Sequence, residues 1–76
     1  MKKEISVIVP VFNAEDTLDS LFSSLNENLK KITNNYEIIF VDDESKDLSW
    51  NVIKEISKHN DFVKGLKLAR NCGVDI

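Results

Sequence analysis

Two adjacent carboxylates, Asp42 and Asp43, are the side chains of this sequence best placed to do chemistry. They follow an apolar run of strand length, residues 38–41, and a polar turn comes directly after them. Near-continuous apolar runs are typical of strands buried on both faces of a parallel sheet. Ligands of open α/β sheets bind in the crevice beyond the carboxyl ends of such strands. We therefore expect both carboxylates to lie at the rim of a sheet, within reach of a ligand.

Hydrophobic periodicity predicts two helices. In the first, apolar residues recur at spacings of three and four, which indicates an amphipathic helix about five turns long. Its apolar stripe comprises Leu18, Leu21, Phe22, Leu25, Leu29 and Ile32. We expect Asn13 to cap this helix. The second helix has Val52, Ile53 and Ile56 as its stripe, and either Ser45 or Asp47 is the expected cap.

Strands are expected before, between and after these helices. Residues 5–11 and 37–41 are rich in β-branched and other apolar residues, and residues 62–69 form a third expected strand that Gly65 weakens. Pro10 has no N–H donor, so it belongs near the end of the first strand or at a sheet edge. The order β-α-β-α-β predicts an α/β fold, a three-stranded parallel sheet with right-handed crossovers. This is half of a Rossmann-like nucleotide-binding domain.

A polar cluster directly follows each expected strand. The clusters lie at Asn13, at residues 42–47 and at residues 70–73. Because the carboxyl ends of parallel strands share one edge of the sheet, we expect all three clusters to meet there.

The size and composition of the chain exclude several classes of protein. A chain of 76 residues, with 42% hydrophobic and 30% charged residues, is expected to form at most one small globular domain. Its net charge of -3 gives no basic surface for nucleic acid. A single cysteine, Cys72, excludes an intramolecular disulfide and fits a reducing compartment. No apolar run approaches the roughly 18 residues of a membrane span, so we expect a cytoplasmic chain.

Three pieces of the chain, in order, resemble the start of family 2 glycosyltransferases with the GT-A fold. They are VPVFNAE at residues 9–15, VDDESKD at residues 41–47 and LARNCG at residues 68–73. With Ser49-Trp50 after the second piece, they are most similar to the branch that transfers sugars to polyprenyl or dolichyl phosphate. The resemblance implies the nucleotide-sugar-binding portion of an enzyme that transfers a sugar from a nucleotide-diphosphate sugar, using Mg or Mn. The implied acceptor is polyprenyl phosphate at the cytoplasmic membrane face, for cell-envelope polysaccharide.

The resemblance also implies a nucleotide pocket. Pro10, Phe12 and Glu15 would line it beside the base and ribose, and Asp43 would accept a hydrogen bond from the base. A carboxylate fixed at a strand end suits that role, because its charge strengthens the bond. Arg70 would shape the same face. The complete nucleotide-binding set expected from the sequence is Pro10, Phe12, Asn13, Glu15, Asp42, Asp43 and Arg70.

The chain departs from the family pattern in two respects. Glu44 stands where the family usually has glycine, so either the turn is of another type or the loop is distorted. The family's Asp-x-Asp metal motif and catalytic base lie downstream of the matched pieces. No catalytic residue or metal ligand is therefore assigned, and adjacent acids on a strand point in opposite directions, which does not suit a metal site. We expect residues 1–76 to be one partial domain, the N-terminal segment of a larger one, without turnover alone.

An incomplete sheet would leave one edge of the first strand unpaired. In doubly wound sheets the first strand is central, so a missing neighbour would leave the edge at residues 7–9 open. We expect self-association through that edge.

Two other functions compete with this interpretation. A receiver-like signalling module would gather Mg²⁺ with Asp42 and Asp43, but it requires acids on more than one strand end. A dinucleotide-binding dehydrogenase half would require G-x-G-x-x-G after the first strand, and the sequence lacks it.

Overall fold

The chain follows the order expected from its hydrophobic pattern. The structure, a computed structural model, describes residues 3–68. Its elements are β1 (Ile5–Val11), α1 (Leu18–Lys30), β2 (Tyr36–Asp42), α2 (Ser49–His59) and β3 (Val63–Lys67). The strands are parallel and lie in the order β1-β2-β3. The predicted α/β class and three-stranded parallel sheet are confirmed, with strand bounds that differ by one or two residues from those expected.

Both helices pack on one face of the sheet. Along β2, Tyr36, Ile38 and Phe40 are buried, whereas the residues between them are half-buried. The period-2 alternation of a strand puts these buried side chains on the helix side. On the opposite face of β1, Ile8 is 58% exposed. The expectation of strands buried on both faces is therefore wrong for the described residues, because two crossovers in the same direction place both helices on the same side.

The first helix is shorter than its apolar pattern indicated. It has 13 residues, which is fewer than four turns. The chain leaves it in tight turns, where the Ile32 and Thr33 N–H groups both donate to the Leu29 carbonyl. Ile32 is 70% exposed and lies beyond the helix, so it does not belong to the stripe. Neither helix of the described residues combines the length and the apolar character that crossing a bilayer requires.

The core lies between the helices and the inner face of the sheet. Its fully buried apolar side chains are Leu18, Ile38, Phe40 and Ile53. An aromatic group extends it toward the amino ends of the strands: the Phe62 ring stacks on Phe22 at 6.2 Å between centroids and meets Tyr36 edge-on at 5.1 Å. Such ring pairs stabilise a core beyond the area they bury.

Gly65 lets α2 approach β3 closely. A Cβ atom on this residue would lie 2.6 Å from Cγ2 of Ile53 and 3.3 Å from the Trp50 ring. Real Cβ atoms do not tolerate the first distance, so the Ile53 side chain or the helix itself would have to move. The sequence suggested that Gly65 weakens β3; the structure shows that its lack of a side chain is what allows the helix to pack there.

Replacing Gly65 by alanine is expected to lower the free energy of unfolding by about 1–3 kcal/mol, because overpacking forces the helix or its side chains to shift. Urea denaturation measures the change. In the double variant with Ile53→Ala, which removes the clashing atom, the cost of Gly65→Ala should fall to near zero. Strictly additive costs in this double-mutant cycle would contradict the steric explanation.

Candidate functional site

Two loops meet at the carboxyl ends of β1 and β2. We call residues 12–17, between β1 and α1, the first rim loop, and residues 43–48, between β2 and α2, the second rim loop. The parallel register that pairs Val11 with Asp42 brings both loops out of the sheet at the same level. The Asp43 N–H extends the pairing by donating to the Val11 carbonyl at 2.9 Å. The sequence prediction that these two polar clusters share one rim is confirmed.

Asn13 ties the two rim loops together through both its main chain and its side chain. Its N–H donates to Oγ of Ser45 at 2.9 Å, and its Oδ1 accepts from the Lys46 N–H at 2.7 Å. The residue has a φ of 49°, which asparagine tolerates better than most residues. The predicted cap of α1 is therefore wrong: Thr17 occupies the N-cap position without a side-chain bond, because the Asn13 side chain is used across the loops.

Asp47 and Glu15 form a second set of hydrogen bonds between the rim loops. Asp47 Oδ2 accepts from the Glu15 N–H at 3.1 Å, and Glu15 Oε1 accepts from the Leu48 N–H at 3.0 Å. Partial burial raises the pKa of Asp47, but hydrogen bonds from Ser49 and from the Glu15 N–H outweigh it and hold that pKa below its ordinary value. Asp47 is therefore ionised at neutral pH and makes charge-assisted bonds.

Ser49, the first residue of α2, is fully buried and completes the junction. Its hydroxyl accepts from the Ala14 N–H at 2.7 Å and donates to Asp47 Oδ1 at 2.6 Å. The same Oδ1 accepts from the Ser49 N–H at 2.9 Å, so Asp47 braces the start of α2, although the N-cap position is Leu48. Ser49 contributes to the family resemblance of the sequence, which did not predict this role. The Asp-x-Ser spacing of residues 47–49, directly before the helical pattern, is the sequence signal that points to it.

The two adjacent acids have different surroundings. Asp42 is fully buried, and its Oδ1 accepts from the Ser45 N–H at 3.3 Å, so it supports the second rim loop from beneath. Among residues 3–68, its Oδ2 is buried without a hydrogen-bond partner. The Asp42 main-chain carbonyl accepts from the Leu68 N–H at 2.9 Å, which anchors the end of β3. Asp43, one residue further, is half-buried at the rim.

The other residues expected in a nucleotide pocket have mixed positions. Phe12 opens the first rim loop with 60% of its side chain exposed, and Pro10 is exposed on the face of β1 away from the helices. Pro10 lies one residue before the end of β1, as expected. Glu15 is half-buried and makes the hydrogen bonds to Asp47 and Leu48 described above. Arg70, with the rest of the cluster at residues 70–73, lies outside the described residues.

Glu44 adopts the conformation that its position in the turn demands. Its φ is 56°, in the left-handed region that favours glycine. The turn therefore keeps a positive φ, and the glutamate bears a conformational cost of about 1 kcal/mol. Strained residues of this kind concentrate at functional sites.

A separate cavity lies at the opposite end of the sheet. It has a volume of about 480 Å³ and is lined by Lys3, Lys30, Asn34, Tyr36, Asp61 and Phe62. Lys30, the last residue of α1, and Lys3 face one acid, Asp61, in this lining. Within residues 3–68, no group of three or more histidine, cysteine or acidic side chains is arranged to hold a metal ion.

Known proteins match most or all of this chain. The model of the family described as "Glycosyl transferase family 2" matches residues 6–75. An uncharacterized glycosyltransferase of Synechocystis is 38% identical over 76 residues, which is all of this chain and 24% of that protein. The dolichol-phosphate mannosyltransferase of Pyrococcus furiosus is 41% identical over 54 residues, 71% of this chain and 15% of that protein. The undecaprenyl-phosphate 4-deoxy-4-formamido-L-arabinose transferase of Aeromonas hydrophila is 35% identical over 72 residues, 93% of this chain and 22% of that protein.

The strain at Glu44 generates a stability prediction. Glu44→Gly should raise the free energy of unfolding by about 0.5–1 kcal/mol, because glycine adopts a positive φ without steric cost. Urea denaturation of both chains measures the difference. The matched control is Glu27→Gly within α1, which should lower stability by about 1 kcal/mol because glycine is a poor helix former. Loss of stability in both variants would contradict the assignment of strain to Glu44.

Proposed function

This chain belongs to glycosyl transferase family 2, and from that premise we propose that its rim binds the nucleoside of a nucleotide-diphosphate sugar, the donor of a glycosyl transfer reaction. The observation that supports this most is the mutual hydrogen bonding of the two rim loops, which brings Phe12 and Asp43 to one edge of the sheet. Open parallel sheets bind their ligands at that edge.

The charges of the rim indicate which part of the donor it accepts. The two rim loops and the end of β2 carry six acids against one lysine, Lys46; the acids are Glu15, Asp16, Asp42, Asp43, Glu44 and Asp47. A pyrophosphate would be repelled by such a surface, whereas the N–H groups of a base and the hydroxyls of a ribose are donors that carboxylates accept. Asp43 is the half-buried acid that we assign to the base. The exposed ring of Phe12 supplies an apolar surface for the base or ribose.

The remaining members of the proposed site have supporting roles. Pro10, Asn13 and Glu15 shape the first rim loop, and Asp42 holds the second rim loop from beneath. Arg70 stays in the proposed nucleotide-binding set because of the family resemblance.

The pyrophosphate requires groups beyond this rim. The described residues do not fit a divalent metal ion, because no cluster of suitable ligands is present among them. We propose that Mg or Mn, and the catalytic base, are held by other parts of a larger polypeptide. The chain spans about a quarter of the length of the first curated relatives that it matches. It is accordingly proposed to be one partial domain without turnover of its own, and sugar transfer by the isolated chain would contradict this.

The acceptor that we propose is a polyprenyl phosphate, in the assembly of cell-envelope polysaccharide. Its support is the names of the Pyrococcus and Aeromonas relatives, which act with dolichol phosphate and undecaprenyl phosphate. We propose that the complete enzyme meets this lipid acceptor at the cytoplasmic face of a membrane.

Titration of the ¹⁵N-labelled chain with UDP and with GDP tests the nucleoside site. At least one of the two should shift the amide signals of both rim loops. Asp43→Asn should weaken binding about tenfold or more, because it removes a charged hydrogen-bond acceptor. The matched control is Asp61→Asn, at the cavity at the opposite end of the sheet, which should leave the affinity unchanged. Shifts confined to that cavity would overturn the proposal.

We also propose that copies of this chain associate through β1. Among the described strands, β1 pairs with β2 alone, so its other edge carries unpaired backbone groups beside the exposed Ile8 side chain. Exposed edges of this kind pair with other chains.

Light scattering at increasing concentration is expected to show a dimer or larger species. Ile8→Lys should shift it toward monomer, because lysine on an edge strand opposes pairing. Leu66→Lys is the control: Leu66 is 55% exposed on the same face of β3, away from the proposed contact. A monomeric wild-type chain, or an equal effect of both substitutions, would contradict association through β1.

A further inference from the structure

We infer that Asp47 and Glu15 are positioning residues, which lock the two rim loops into the one arrangement that binds the nucleoside. This inference rests on the function proposed above and gives Glu15 a task other than direct contact with base or ribose. Each of the two side chains accepts a hydrogen bond from the main chain of the opposite loop. Neither loop can therefore move away without breaking both bonds.

The reciprocity of the bonds is the first observation. A carboxylate of the second rim loop, Asp47, accepts from the Glu15 N–H, and the Glu15 carboxylate accepts from the Leu48 N–H. These contacts join residues 32 and 33 positions apart in the sequence. Both acceptors are carboxylates, and bonds to ionised acceptors are roughly twice as strong as neutral ones.

Helix capping does not account for the contact of Asp47 with the first rim loop. Bracing the start of α2 requires the local bonds from Ser49 to Asp47 Oδ1, and one carboxylate oxygen suffices for both. The second oxygen of Asp47 is directed across the junction to the first rim loop. Ser49 reaches the same loop, because its hydroxyl accepts from the Ala14 N–H. The start of α2 is thereby joined to the first rim loop as one unit.

The locked arrangement determines where the proposed ligand contacts lie. Phe12 directly precedes Asn13, and Asp43 lies two residues before Ser45. The Asn13 N–H and the Lys46 N–H make their own bonds across the loops, without using Asp47 or Glu15. If the Asp47–Glu15 pair sets the spacing of the loops, those two amides must lose protection when the pair is removed.

Amide hydrogen exchange of the chain tests this without any ligand. In Asp47→Ala and in Glu15→Ala, the Asn13 and Lys46 amides should exchange about tenfold faster or more, which corresponds to the loss of one charge-assisted bond. Amides in the centre of β2 should keep their wild-type rates, which separates loop release from global destabilisation. Glu15→Gln retains a side-chain oxygen that can accept from Leu48, so it should restore most of the protection. Glu27→Gln, at an exposed position on α1, controls for the lost charge.

The affinity for UDP or GDP, whichever the wild-type chain binds, provides the second measurement. It should fall about tenfold in both alanine variants, fall less in Glu15→Gln, and remain near the wild-type value in Glu27→Gln. The Asp47→Asn variant, which keeps one acceptor oxygen, serves if Asp47→Ala does not fold, and its effect should be intermediate.

The outcomes separate the inference from the proposed function. Wild-type exchange at Asn13 and Lys46 in the alanine variants would overturn the inference, as would wild-type affinity in those variants. Failure of the wild-type chain to bind either nucleotide would overturn the proposed function and the ligand-positioning role with it. In that case, faster amide exchange in the alanine variants would support only the conclusion that Asp47 and Glu15 hold the two rim loops together.

Discussion

The parallel pairing of β1 with β2 is the constraint on which the rest of the structure depends. It places Val11 opposite Asp42, so the chain leaves both strands at the same level and the two rim loops start side by side. Apolar residues fix this pairing, because the inner face of β2 buries Ile38 and Phe40 against the helices. Burial of the core therefore sets the register, and the register sets the spacing of the polar groups at the rim.

Asp42 stands where the core and the rim meet. It continues the buried alternation of β2 and at the same time accepts a hydrogen bond from the second rim loop. The loops are held together by side chains that accept hydrogen bonds from main-chain N–H groups of the opposite loop, and these side chains are Asn13, Asp47 and Glu15. A preformed rim of this kind lowers the ordering cost of binding a ligand.

Local patterns in the sequence predict the helices and strands but not the contacts between them. The alternation in β2 and the helical spacing in α2 predicted these elements because periodicity reports which face is buried. The cap expected from Asn13 was wrong because its partners are in the other rim loop, more than 30 residues away. The packing role of Gly65 and the buried hydroxyl of Ser49 likewise depend on contacts between elements, which a linear pattern does not contain.

Intermolecular nuclear Overhauser effects between UDP or GDP and the ¹⁵N,¹³C-labelled chain test the central claim most directly, because they show which surface the nucleoside touches. The structure and its family membership predict contacts from base and ribose protons to the Phe12 ring and to protons of both rim loops, including Asp43. Contacts to Tyr36 and Phe62 in the cavity at the other end of the sheet, with none to the rim loops, would contradict the account.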